Sequence, residues 1–334
     1  MNQKRTALAW LALSVWGFAA PQPAPVLVEG FSYQVDGLSI RALACRPDKR
    51  AGRPLLNLVH GGLNTPPDKA ACERFARLGY AVAASALRGQ GGSAGKVEVC
   101  LGEVRDVLAL RRIAQARYHT DPRRVAYLGV SLGGCTALKA ASQDQNARAV
   151  VTLISPTDFA RQVELLREVH SDALFRWEAL LGGSPEAAPQ NYARRRPLEA
   201  AKILRPPLLT VAAGNDPLIA LRQSCEVRDV RRAAGRRVAE VRQTLAGAPA
   251  PLPDRPWRRC EGERPSGTLP ALRLRDVLLI YADLDHRSTS RMWRVAEHYL
   301  AANIEPPTLK ERLMEFFQAS TFRSLLTRLL RQAP

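Results

Sequence analysis

Ser131 stands in Gly129-Val130-Ser131-Leu132-Gly133, a Gly-x-Ser-x-Gly spacing that suits covalent acyl transfer when it falls between a strand and a helix. The glycines permit a sharp, strained turn that lifts the serine hydroxyl clear of the strand. The backbone N–H of Leu132 then opens a helix, facing the oxygen that turns negative when a carbonyl is attacked. A serine hydroxyl alone is a weak nucleophile. It requires a base, and the base requires a carboxylate that fixes its tautomer.

Five histidines are available as that base. His60 closes an apolar run beside Gly61-Gly62, where it suits a loop-shaping role next to the oxyanion site. His119 precedes a strand on the opposite edge, His170 falls in a helical stretch, and His298 lies on a late amphipathic helix. His286 remains, in a loop after the last apolar run and before a helix that begins near Ser290. With the chain order serine, acid, histidine, the acid must lie between Ser131 and His286. Asp216, in Gly214-Asn215-Asp216-Pro217 after an apolar run, meets that condition. Asp158 also follows a strand and is its rival, whereas Asp283 and Asp285 are too close in sequence to His286 to orient it easily.

The elements that must hold these residues show in the apolar pattern. Residues 26–47 alternate apolar and polar around Asp36-Gly37, as a β-hairpin does. Apolar runs at 55–59, 80–84, 125–129, 149–154, 208–213 and 277–281 read as strands. Helical stretches near 70–78, from Gly102, and from Ser131 to about Ser142 alternate with the earlier runs. Such alternation predicts a mostly parallel sheet with helices on both faces. Residues 158–205 read as two or three helices that form a small cap over the sheet's C-terminal edge and shape substrate access. Residues 243–270, rich in Pro, Arg and Gly, read as an inserted loop, and 305–334 as a basic amphipathic helical tail.

Taken together, His60-Gly61-Gly62, Arg88-Gly89-Gln90-Gly91-Gly92-Ser93, the Ser131 motif through Gly134, Gly214-Asn215-Asp216-Pro217 and His286 resemble the prolyl-oligopeptidase and dienelactone-hydrolase branch of the α/β-hydrolases. The resemblance covers roughly residues 31–302. It implies an α/β-hydrolase fold with Ser131, Asp216 and His286 as catalytic residues, and with the backbone N–H groups of Leu132 and Gly62 as oxyanion donors. Two features depart from the pattern. Ala86 stands where relatives often have an acid, and Asp216 and His286 are 70 residues apart, about twice the usual interval. The insertion between them suits a lid or specificity element. Large peptidases of this branch carry a propeller domain, and the stretch ahead of the hydrolase core is too short for one, which tilts the expected substrate away from oligopeptides.

Composition bounds the setting. Lys4 and Arg5, an apolar run over 7–20 and a Pro-rich stretch are the order of a secretory signal peptide, expected over residues 1–19, with residues 26–304 as the catalytic domain. Export to a periplasmic or extracellular space would let the six cysteines pair. A Cys225–Cys260 bridge is favoured across the irregular late region, with Cys135 as a buried thiol. The net charge of +18 invites a nucleic-acid partner, but the 49 basic residues include only seven Lys and are not convincingly clustered. Peripheral contact with an anionic membrane surface fits that charge better. The chemistry requires no metal or organic cofactor. The leading expectation is an exported esterase, ahead of a peptidase acting on short peptides or acylated amino acids and of a non-catalytic envelope-binding protein on the same fold.

Overall fold

The computed structural model describes residues 25–245, 259–260 and 266–305. The expected signal peptide, the tail beyond residue 305 and most of the inserted loop lie outside the described residues. Strands β1 (Leu27–Val35) and β2 (Leu38–Arg46) form the hairpin, turning at Asp36 and Gly37, both at positive φ. The strands that follow are short and almost wholly buried: β3 (Leu55–Val59), β4 (Ala81–Ser85), β5 (Val125–Val130), β6 (Ala147–Leu153) and β7 (Leu208–Ala213). Burial on both faces explains why they read as unbroken apolar runs.

With β8 (Val238–Gln243) and β9 (Asp276–Tyr281), nine strands form one sheet in the order β1-β2-β4-β3-β5-β6-β7-β9-β8, parallel from β4 onward. Helices α1 (Lys69–Arg77), α2 (Gly102–Tyr118), α3 (Leu132–Gln143), α8 (Leu221–Ala233) and α9 (Ser290–Asn303) cover it. One core packs Val107 and Leu110 of α2 and Leu138 of α3 against Leu55 and Tyr127. The other packs Phe75 of α1 and Met292 and Tyr299 of α9 against Leu56, Leu128 and Leu279. Helix α1 is started by Asp68, whose side chain accepts from the N–H of Ala71 at 2.9 Å.

Between β6 and β7 the chain forms four short helices, more than the two or three expected: α4 (Phe159–Glu168), α5 (Ala173–Leu181), α6 (Pro189–Arg195) and α7 (Leu198–Ile203). Phe159, Val163, Leu181 and Tyr192 from this group pack with Val99, Cys100 and Leu132. The cap thus rests on the first residue of α3.

The long interval between Asp216 and His286 is not one loop. Helix α8 and strand β8 occupy its first half, and the chain then returns to lay β9 between β7 and β8. Neither was legible as an apolar element, because both bury charge. Arg231 donates to Asp276 at 2.8 Å and Arg228 to Glu240 at 2.5 Å, so polar residues occupy inward positions without unpaired charge.

All six cysteines are paired, as Cys45–Cys72, Cys100–Cys135 and Cys225–Cys260. The last is the pair expected. Cys135, expected as a buried thiol, is bonded to Cys100, because the loop before α2 folds onto the first turns of α3.

Candidate active site

Sheet register decides which loops meet. Val59 lies opposite Gly129, so the His60-Gly61-Gly62 turn leaves β3 beside the turn that leaves β5. A side chain on Gly61 would put its Cβ 2.7 Å from Val130 O and 2.8 Å from Ser131 Cβ, so only glycine allows this approach. Ala213 lies opposite Tyr281, and the loops beyond them stay joined: Gly214 N–H donates to Tyr281 O at 2.8 Å and Asn215 N–H to Leu284 O at 2.9 Å. Placing β9 next to β7 therefore brings Asp216 to His286.

Ser131 has φ 49° and ψ −126°, a strained conformation for a residue with a side chain. Its N–H donates to Leu153 O at 2.8 Å, and its own carbonyl accepts from Gly134 N–H at 2.8 Å. The hydroxyl, half-buried, stands 2.9 Å from His286 Nε2, and His286 Nδ1 stands 2.7 Å from Asp216 Oδ2. A carboxylate can only accept, so the proton sits on Nδ1, and Nε2 turns its lone pair toward the serine. Asp216 is 2% exposed, and its other oxygen accepts from the N–H groups of Leu218 and Ile219 at 2.8 and 2.9 Å. These bonds hold a buried charge in place.

Leu132 is the first residue of α3, where a helix leaves N–H groups without internal partners, and it lines one small crevice together with Gly62. Gly62 has φ +79°. His60 lines the same crevice but is engaged by its own loops. Its Nε2 lies 3.3 Å from Ala86 O and its Nδ1 2.8 Å from Thr65 Oγ1, which makes it a strut between two loops, as expected.

The other histidines and acids are elsewhere. His119, His170 and His298 are exposed. Asp158 caps α4, accepting from Ala160 and Arg161 N–H, and pairs with Arg196. Asp283 accepts from Leu245 N–H, and Asp285 pairs with Arg287.

Arg88 was legible as part of a motif, but its partners and two other supporting residues, Glu103 and Lys139, were not. Arg88, 2% exposed, donates to three acids, Asp106 of α2, Asp36 and Glu98. Glu103 accepts from the N–H groups of Glu98, Val99 and Leu101, and burial raises its pKa. Its place in the first turn of α2 was a readable signal. Lys139 of α3 donates to Cys100 O and Arg194 O. Burial, helped by nearby Arg195, lowers its pKa to about 8. Among the described residues no group of His, Cys, Asp and Glu could hold a metal ion.

A nine-stranded, mostly parallel sheet with a serine, a histidine and an aspartate at the C-terminal ends of β5, β9 and β7 defines an α/β-hydrolase of the serine hydrolase class. The chain belongs to the X-Pro dipeptidyl-peptidase (S15) family, whose model matches residues 11–240, ending ahead of β9 and His286. An uncharacterized peptidase of Bacillus subtilis, YtmA, is 22% identical over 197 residues, which is 58% of this chain and 74% of that protein. Among solved structures, an acylaminoacyl peptidase of Pyrococcus horikoshii superposes with a TM-score of 0.59 at 17% identity. The match covers 88% of this chain and 41% of the peptidase, so the chain spans under half the length of that relative. Acetyl xylan esterase 1 from Thermoanaerobacterium sp. JW/SL YS485 gives a TM-score of 0.57 at 16% identity, covering 82% of this chain and 86% of the esterase. At such identities the structural likeness is one of fold. Family membership sets aside the non-catalytic alternative.

Proposed function

We propose that the protein is a peptidase-type acyl hydrolase acting through an acyl-enzyme on short peptides or acylated amino acids. In this reading Ser131 Oγ attacks the carbonyl carbon while His286 Nε2 takes its proton. Leu132 and Gly62 N–H groups hold the resulting oxyanion. His286 then returns the proton to the leaving amine, and water, activated by the same imidazole, releases the acid. Asp216 holds the Nδ1–H tautomer and stabilises the imidazolium. The observation that carries this reading is the continuous series of hydrogen bonds from Ser131 through His286 to Asp216, at 2.9 and 2.7 Å. The S15 family match favours amide substrates over the simple esters expected first.

An esterase remains the second reading, supported by a fold shared with the acetyl xylan esterase over 86% of that chain. Comparing kcat/KM for an aminoacyl-amide and a p-nitrophenyl ester separates the two. Ser131→Ala should lower both activities on the order of 10⁵- to 10⁶-fold. Full hydrolysis by that variant would sink the mechanism.

We also infer export to the periplasm or beyond, supported by three disulfides and no free cysteine. The net charge of +18 supports peripheral contact with an anionic membrane surface.

A further inference from the structure

Between the cap and the oxyanion turn lies an open groove of about 370 Å³, lined by Leu63, Asn64, Val97, Arg176, Ala179 and Leu180. Its lining adjoins the site. Leu63 follows Gly62 directly, and Leu63, Val97 and Leu180 pack into the same apolar cluster as Leu132. The lining is aliphatic apart from Asn64 and Arg176. The backbone N–H of Asn64 donates to Gln90 Oε1 at 3.0 Å, which ties this stretch of the groove wall to the neighbouring loop.

Arg176 differs from the ion-paired arginines of the cap. Arg167 pairs with Glu178 and Glu186, and Arg196 with Asp158. Arg176 is exposed on α5 and makes no ion pair among the described residues. Its neighbour Phe175 is 78% exposed, so this end of α5 presents an aromatic ring and a free cation side by side. A guanidinium at the rim of an aliphatic groove matches a ligand with an apolar body and a carboxylate at its end. The volume fits one such group, within the range of small-molecule sites.

We propose that this groove is a specificity subsite for an apolar substrate group bearing a free carboxylate, such as an apolar amino acid at the end of a short peptide or an acylated amino acid, with Arg176 reading the carboxylate. The proposal rests on the hydrolase reading above, because it places the subsite next to the oxyanion turn. It narrows the substrate class from any short acyl compound to an anionic one.

The test measures binding without turnover. N-acetylphenylalanine and its uncharged amide are titrated calorimetrically into the full chain carrying Ser131→Ala, and into the same protein with Arg176→Gln or Arg176→Lys added. The carboxylate should bind about tenfold more tightly than the amide. Arg176→Gln should bring that ratio close to one, and Arg176→Lys should keep part of it. Ala179→Trp, which fills the groove, should weaken both compounds. Equal affinity for the two, binding of neither, or a ratio unchanged in Arg176→Gln overturns the subsite. None of these results depends on Ser131 being the nucleophile, and that question is answered separately by the activity of Ser131→Ala.

Discussion

The two halves of the site are held by different means. Around Ser131 the backbone is fixed by what does not fit. A Cβ on Gly129 would lie 2.3 Å from Gly133 O, one on Gly133 2.3 Å from His60 O, and one on Gly134 1.8 Å from Ser155 Oγ. Around Asp216 and His286 exclusion acts at one position, where a Cβ on Gly214 would lie 2.4 Å from Ala282 O, and beyond it the backbone is fixed by what pairs. The loop after β7 donates two main-chain hydrogen bonds to the end of β9 and the loop beyond it, two N–H groups hold the Asp216 carboxylate, and a disulfide joins α8 to the returning chain. Steric exclusion is local and writes itself as glycines at fixed spacing. Pairing across 70 residues leaves little local trace.

The contrast predicts how each half breaks. Asp216→Asn keeps the size of the side chain and can still accept from Leu218 and Ile219, so the fold should persist. The amide no longer enforces the Nδ1–H tautomer, and kcat should fall about 10⁴-fold, measured on the ester or amide that the parent protein hydrolyses. A loss under tenfold would remove Asp216 from its orienting role.

The disulfides sharpen the same comparison. Cys225–Cys260 closes 35 residues within the stretch that carries the chain from Asp216 to His286, whereas Cys45–Cys72 closes 27 residues near the hairpin. Replacing either pair by serines should cost about 3–4 kcal/mol in urea unfolding by loop entropy. Only Cys225→Ser with Cys260→Ser should also lower kcat/KM, because only that bridge lies between two of the three side chains. Equal effects of both double variants on kcat/KM would mean that the bridge contributes nothing particular to the acid and histidine side.

The same divide sets what could be read in the chain. The parallel strands were visible because burial on both faces makes them apolar throughout. The nucleophile turn was visible because glycine alone satisfies its contacts, and Asp216 and His286 followed from chain order. What stayed hidden was polar and distant. Strand β8 and helix α8 turn Glu240, Arg228 and Arg231 inward, where ion pairs replace the apolar periodicity that marks an element. The Cys100–Cys135 bridge stayed hidden for a related reason: Cys135 looks like any small core residue until the loop carrying Cys100 is folded onto α3.

The smallest effect tests the steric side directly. Gly133 sits in the first turn of α3, where alanine is the better helix former, so local propensity favours Gly133→Ala by up to about 1 kcal/mol. Its Cβ would nevertheless meet two main-chain oxygens, 2.3 Å from His60 O and 2.4 Å from Val59 O, and neither belongs to a side chain that can rotate away. Separating α3 from the end of β3 should cost about 1–3 kcal/mol net, as overpacking does. It should also shift the Leu132 N–H relative to Gly62, lowering kcat more than KM rises. Gly30→Ala on β1, where nothing lies within 4 Å of the added atom, is the matched control and should leave stability and kcat unchanged. If Gly133→Ala behaved like Gly30→Ala, the main-chain hydrogen bonds of Ser131 and Gly134 would suffice to hold the nucleophile turn, and the two halves of the site would not differ in kind.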